Sequence, residues 1–215
     1  MFALITLIAS SVMALGPETP LEAAILDEAQ HCQNVQSQMW PDGEVPREYL
    51  RALLSVEAQF DIPLEMRGML LAMACHESGY NPDALGDFRG RGRRRNPMAV
   101  GLYQQWPWFE KHKRAGGYGI KRRDPIQASV AQMQLWVHQT KKAERLCRIA
   151  RESEEAKWAI AQVRAARGPV ETCRSGRGGK DCNRCKQRSK HYDLFVKWRK
   201  NWMKVLSVEQ VASND

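Results

Sequence analysis

The chain has 215 residues, a formal net charge of +9 and an apolar fraction of 43%. This length suits one domain with a small appendage and is enough to bury a sizeable core. The charge favours a polyanionic partner, which means nucleic acid, an anionic membrane or an acidic cell wall. Charge alone does not choose among these three classes.

Residues 1–15 (MFALITLIASSVMAL) form the only long apolar run without a charged side chain. The run is short for a membrane span and long enough for the core of a signal peptide. Small residues suit cleavage after Ala14. Since no Lys or Arg stands beside the initiator Met, an uncleaved anchor or a buried helix stays open. We predict an exported protein, periplasmic or extracellular, which a phage could also encode.

Six cysteines are present, and an even count in an exported chain favours disulfides. They are Cys32, Cys75, Cys147, Cys173, Cys182 and Cys185. Six cysteines allow 15 pairings, and the sequence does not select one. The last three, with His191, also resemble a zinc set, which export disfavours.

Apolar residues at steps of three and four predict a helix over 21–39 and a second over 46–60. A turn at Trp40–Gly43 separates them. The apolar side of the second helix consists of Tyr49, Leu50, Leu53, Leu54 and Ala58.

A third helix is predicted from about Pro63 to Ser78, with Asp61 and Pro63 suiting its cap and first turn. Its apolar stripe is Met66, Met69, Leu70, Met73 and Ala74. The helix should stop at Ser78–Gly79, because glycine adopts the left-handed conformation easily and Pro82 forbids continuation.

Glu77 takes the next position on that stripe, where a core residue is due. A buried carboxyl is desolvated, which raises its pKa and suits it to act as a general acid. The alternative is that Glu77 marks the helix end, turned outward or paired with an Arg.

Residues 83–124 lose this regularity and contain two different stretches. The basic run Arg89–Arg95 is either a solvated loop or a clamp for an anionic polymer. The segment 99–109 places Gln104 and Gln105 among large rings, a combination that suits a sugar. The alternative is that Trp106, Trp108 and Phe109 fill the core, which should hold for at least one of them.

Two further helices are predicted over 124–150 and 152–167. The stripe of the first is Ile126, Val130, Met133 and Val137, and the second carries Trp158, Ile160 and Val163. A loop rich in Cys and Gly follows at 171–185. The last helix carries Tyr192, Phe195, Trp198, Trp202 and Val205 among basic residues. We expect it to dock on the domain rather than lie on a membrane surface.

The segments Glu77–Pro82 (ESGYNP), Gly101–Gln104 (GLYQ) and Asp124–Pro125, in this order, resemble the soluble lytic transglycosylases and their goose-type lysozyme relatives. The resemblance covers roughly residues 60–140. It implies an all-α, lysozyme-like catalytic domain over 20–170. Residues 171–215 would then be a Cys-rich loop and a basic amphipathic helix packed on that domain.

By this resemblance, the protein would be an enzyme without a cofactor that cuts the β-1,4 bond between N-acetylmuramic acid and N-acetylglucosamine in peptidoglycan. We also expect it to be a monomer. Glu77 would be the general acid and base. The sugar site would be lined by Ser78, Tyr80, Gly101, Leu102, Tyr103 and Gln104.

The chain departs from the family pattern in two places. The basic run lengthens the linker before Gly101, and the segment 163–169 keeps a Gly-Pro ending without the tyrosine that contacts the catalytic Glu in many relatives. Tyr80, Tyr103 or Tyr118 could replace it, or burial alone could tune Glu77.

Three competing hypotheses follow. The first is a hydrolytic lysozyme that uses Asp83 or Asp87 as a second carboxylate. The second is an inactive module that binds the cell wall. The third is a nucleic-acid binder that uses Arg91, Arg93, Arg94 and Arg95, although no stacking motif accompanies that run.

Overall fold

A computed structural model describes residues 16–32, 44–88, 96–111, 119–146, 149–167, 194–201 and 203–204. Several predicted features lie outside these residues. They are the segment 1–15, the Trp40–Gly43 turn, the basic run Arg89–Arg95, the 171–185 loop, Tyr118, Tyr192, Trp202, Val205 and the cysteines from Cys147 onward.

The described chain is mostly helical, which is compatible with the predicted all-α class. Its elements are α1 (Pro20–Gln30), α2 (Arg47–Glu57), a 3-10 turn (Leu64–Met66), α3 (Met69–Ser78), β1 (Leu85–Gly86), β2 (Ala99–Val100), α4 (Pro107–Glu110), α5 (Pro125–Leu146), α6 (Ile149–Glu152) and α7 (Glu154–Arg167). Residues 194–201 are also helical and are called α8.

Helix α1 is shorter than its sequence pattern predicts. Thr19 and Glu22 form a reciprocal capping box at its start, in which each side chain accepts from the other residue's backbone N–H. The helix ends at Gln30 with His31 as its C-cap, so the predicted extension to 39 is wrong. The buried side chains of α1 are Ile25, Leu26 and Ala29.

Helix α3 is the centre of the core. Every residue from Met69 to Cys75 is buried, so the helix is covered on all sides. Its neighbours α1 and α2 supply buried leucines and isoleucine to the same cluster, and α5 adds Met133 and Trp136. A helix with apolar residues on every face depends on tertiary packing for its stability.

Helix α5 begins at the predicted Asp124–Pro125 step, where the Asp124 carboxylate accepts from the backbone N–H of Gln127 at 2.9 Å. It is described as far as Leu146, and the helical residues Ile149–Glu152 lie close to the predicted end near Ala150. Helix α7 contributes Trp158 and Ile160 to the buried interior, as predicted.

The docked position of the last helix is confirmed for two of its rings. Phe195 and Trp198 are buried in the main core cluster together with Trp158. Arg199 pairs with Glu155 of α7 at 3.2 Å. Within the described parts of the chain, no helix combines the length and the apolarity required to cross a bilayer.

A disulfide joins Cys32, just after α1, to Cys75 of α3. Their Cα atoms are 5.8 Å apart, and 43 positions separate them in sequence. The expectation of disulfide bonding is therefore confirmed for this pair, and the pairing that the sequence left open is settled for it.

We predict that Cys75→Ser lowers the free energy of unfolding by about 4 kcal/mol, because a closed loop of this length restricts the unfolded chain. Urea unfolding without reductant measures the loss. Cys32→Ser and the double variant serve as controls. All three variants should lose a similar free energy of unfolding, since the same covalent bond is removed in each. A loss in the double variant equal to the sum of the two single losses would contradict the pairing.

Candidate active site

The C-terminal end of α3 carries the predicted catalytic residue. Glu77 lies in the last turn, and Gly79 caps the helix with φ of 58° while its N–H donates to the Cys75 carbonyl at 2.9 Å. This end is as predicted. The start is not, because α3 begins at Met69 after a left-handed Gly68, and Met66 belongs to a separate 3-10 turn.

Glu77 is not buried, which corrects the prediction from its stripe position. Only His76 and Glu77 among the ten residues of α3 are partly exposed, because here the helix emerges from the core. The apolar periodicity predicted a buried Glu77 side chain. The structure shows a partly exposed one, which agrees with the alternative that Glu77 is turned outward at the helix end. A partly exposed carboxyl can reach a substrate, which a buried one cannot.

A small antiparallel sheet follows this helix end, in a segment where the sequence predicts only irregular chain. Leu85 pairs with Val100, and Gly86 pairs with Ala99. The Gly101 N–H extends the pairing by donating to the Ala84 carbonyl at 2.9 Å. The sheet thus brings the 101–104 turn beside the chain that leaves α3.

Gly101 joins this turn to the start of α5. Its φ is 77°, and a β-carbon at this position would lie 2.2 Å from the Arg122 carbonyl oxygen. Arg122 in turn donates to the carbonyls of Met98 and Gln105. The three sequence segments that carry the family resemblance are therefore linked to one another in the fold.

Gln104 has a fixed amide orientation at this junction. Its Nε2 donates to the carbonyls of Ala84 at 3.3 Å and Gly101 at 3.1 Å. Its Oε1 lies beside Gly86, where a β-carbon would come within 2.1 Å of it. Gln105 instead points inward, and its amide bonds Gln132 of α5 at 3.3 Å. Gln104 is the partly exposed member of the pair.

Four of the other predicted sugar-binding residues have buried side chains: Ser78, Tyr80, Leu102 and Tyr103. The Ser78 hydroxyl donates to the Ala74 carbonyl, and the Tyr103 hydroxyl bonds Ser129 at 2.7 Å. Burial raises the pKa of both tyrosines. Their predicted contact with a sugar stays a prediction, and in this conformation the four side chains belong to the packed interior.

The aromatic segment divides between core and surface. Phe109 is 2% exposed and fills the core, as expected for at least one ring, whereas Trp108 is 48% exposed. Trp106 donates from Nε1 to Asp87 at 2.9 Å, which ties it to the end of β1. Phe88, the next residue, is also half exposed.

Among the described residues, the fully buried carboxyl is that of Glu57, at the last position of α2. Its two oxygens accept from the backbone N–H groups of Gly68 at 2.7 Å and Leu70 at 2.5 Å, and Arg67 lies 3.9 Å away. Burial raises the pKa of Glu57 to about 7, against the opposite effect of Arg67 and both N–H groups. With both oxygens occupied and no exposed surface, Glu57 cannot act on a substrate.

The sequence did contain a signal for Glu57. It follows Leu50, Leu53 and Leu54 at steps of seven, four and three, which is the same periodicity argument that selected Glu77. Ala58, which was assigned to the buried side instead, is exposed.

A pocket of about 270 Å³ lies beside the end of α3 but away from the 101–104 turn. It is lined by Gln30, His31, Cys32, Glu44, Val45, Gly79 and Tyr80. Of the predicted sugar-binding residues, Tyr80 lines it, whereas none of Glu77, Gly101 and Gln104 does. No cluster of three or more His, Cys, Asp or Glu suited to a metal occurs in the described residues.

Comparison of the chain with protein-family models, with curated proteins and with solved structures finds no match. The structure itself defines a mostly helical domain, in which a two-stranded sheet follows the end of a buried helix.

We predict that Gly101→Ala destabilises the fold by roughly 3 kcal/mol, because it adds both left-handed strain and a clash with the Arg122 carbonyl. Gly119→Ala is the matched control, since Gly119 has φ of 75° with nothing within 4 Å of an added β-carbon. The control should lose only about 1 kcal/mol in urea unfolding. Equal losses in both variants would contradict the close approach.

Glu57 should make stability depend on pH. Its pKa in the folded protein, about 7, exceeds the ordinary 4.5, so the folded state holds a proton that the unfolded state releases between these values. We predict that the unfolding free energy of the wild type, minus that of Glu57→Gln, falls by roughly 3 kcal/mol from pH 4.5 to 7. Urea unfolding at several pH values measures this difference. A difference that rises with pH would contradict it.

Proposed function

We propose that this protein cleaves the β-1,4 bond between N-acetylmuramic acid and N-acetylglucosamine in peptidoglycan, as a lytic transglycosylase of the lysozyme-like fold. The observation that carries the proposal is the linkage of Glu77 at the emerging end of α3 to the 101–104 turn, through the β1–β2 pair and the Gly101–Ala84 hydrogen bond. A proton donor and a turn with an oriented amide are thereby held in one rigid region.

Glu77 acts first as an acid and then as a base. Its proton passes to the glycosidic oxygen as the bond to C1 breaks. The resulting carboxylate removes the proton from the muramic C6 hydroxyl, whose oxygen attacks C1 and closes a 1,6-anhydro ring. One carboxylate is sufficient for both steps, and its partial exposure supports contact with the sugar.

Two groups of the segment after the small sheet would suit sugar binding. Gln104 is partly exposed, and since its N–H groups are used on the Ala84 and Gly101 carbonyls, it would meet a sugar through its Oε1, which lies against Gly86. The half-exposed Trp108 ring offers an apolar face for a pyranose. The charge of +9 concentrates the protein on an anionic cell wall.

The Cys32–Cys75 disulfide is consistent with an exported protein, which matches the location of this substrate. Neither replacement tyrosine in the described chain offers an exposed hydroxyl, since Tyr80 is fully buried and Tyr103 is bonded to Ser129. The proposal therefore makes Glu77 a lone acid and base.

A hydrolytic lysozyme on the same fold is the second candidate, because two exposed aspartates lie close to the sheet. Asp83 pairs with Arg123 at 3.7 Å, and Asp87 accepts from Trp106. Either carboxylate would have to activate water across the sugar ring.

We predict that Glu77→Gln lowers the release of muropeptides from purified sacculi by about 100-fold or more, because a general acid contributes on this scale. Mass spectrometry of the products is the measurement. Glu48→Gln, on the exposed side of α2, is the control and should keep wild-type activity.

The products separate the candidate functions. Anhydro-muramyl ends from the wild type support the transglycosylase, whereas reducing ends that disappear with Asp87→Asn or Asp83→Asn would identify a lysozyme. Sacculus binding without any release would identify an inactive wall-binding module. Equal release by wild type and Glu77→Gln would exclude Glu77 as the catalyst.

A further inference from the structure

We propose that Glu57 is a positioning residue for the catalytic helix, which caps the buried start of α3 and thereby sets the placement of Glu77 at its other end. The catalytic part of this inference rests on the function proposed above. The capping part rests on the contacts of Glu57 alone.

Helix α3 has no cap of its own. Its N-cap is Gly68, which offers no side-chain acceptor for the N–H groups of the first turn. This start is buried, so water cannot satisfy those groups. Glu57 supplies the missing acceptors from a different helix, one oxygen to Gly68 and the other to Leu70.

The cap also fixes α3 in relation to its neighbours. A β-carbon at Gly68 would lie 3.0 Å from Ile25 of α1, so the chain passes tightly between α1 and the Glu57 end of α2. Ten residues further along, the helix ends just after Glu77, about 15 Å away. Because a packed helix moves as a unit, the position of its start determines the position of its end.

The charged and titratable groups that face Glu57 are Arg67, which precedes α3, and Tyr103 of the 101–104 turn. Arg67 Nε is 3.9 Å from Glu57 Oε2, and its charge favours the carboxylate. Tyr103 is close enough for Glu57 to act on its hydroxyl electrostatically. Glu57 therefore interacts with both the segment that precedes α3 and the 101–104 turn.

Protonation changes the cap in a defined way. The carboxylate accepts both N–H bonds with a charged oxygen, whereas in the acid form one oxygen becomes a neutral hydroxyl that still accepts, but more weakly. A glutamine weakens the cap at every pH and to a greater extent, since its amide nitrogen accepts no hydrogen bond and directs N–H toward a backbone N–H. Glu57→Gln thus imitates a permanently weakened cap.

NMR of the isotope-labelled full chain from pH 5 to 9 tests the mechanical link without using activity. The amide signals of Gly68 and Leu70 should titrate with a common midpoint near 7, and those of Ser78 and Gly79 at the other end should follow with the same midpoint. In a His76→Gln background, which removes the titratable imidazole beside Ser78, both responses should vanish with Glu57→Gln and persist with Glu48→Gln. If Gly68 and Leu70 titrate while Ser78 and Gly79 do not, the positioning role is wrong.

Activity on soluble peptidoglycan fragments tests the catalytic consequence. Glu57→Gln, under conditions where it is folded by circular dichroism, should lower kcat by about tenfold or more while KM changes less than twofold, because a misplaced acid affects the chemical step. An unchanged kcat would overturn the proposal. Should the wild type itself release nothing, the proposed function fails, and the amide titration at both helix ends still decides the link.

Discussion

The architecture of this protein depends on a single apolar helix being fixed at both ends. Helix α3 is buried from Met69 to Cys75, and its first N–H groups are satisfied by the buried Glu57 carboxyl of α2. Near its other end, Cys75 is bonded covalently to the residue that follows α1. The hydrophobic effect drives such a helix into the core, but it does not specify the axial position. The polar cap and the disulfide supply that specification.

The two glutamates at the ends of this helix region show how environment divides roles between identical side chains. Glu57 lies where desolvation opposes ionisation, and its oxygens are consumed by backbone N–H groups, so its contribution is structural. Glu77 lies where the helix emerges, and the small sheet that follows leads to a turn whose partly exposed Gln104 amide is oriented by two carbonyls. A perturbed pKa alone would select Glu57, which has no exposed surface through which to meet a substrate. Access to solvent and the direction of neighbouring polar groups are the better guide.

The irregular segment after α3 acquires its order from close backbone contacts. Gly101 has to approach Arg122, and Gly86 leaves room for the Gln104 amide. Arg122 bonds two carbonyls of the same segment and the Glu110 carboxylate of α4. Contacts of this kind place a turn accurately without long strands, which explains how two residues on each strand suffice to connect the candidate site.

The sequence by itself determined the helical class, the end of α3 at Gly79, the Asp124–Pro125 helix start and the order of the segments that resemble a lytic transglycosylase, because caps, proline and apolar periodicity are local properties. Only the tertiary structure decided that Glu77 emerges while Glu57 is buried, that Cys32 pairs with Cys75, and that the 101–104 turn adjoins Ala84. Both glutamates continue an apolar stripe, and periodicity cannot distinguish a stripe that stays in the core from one that leaves it. That difference arises from which helices cover each position, and it is a property of packing between segments distant in sequence.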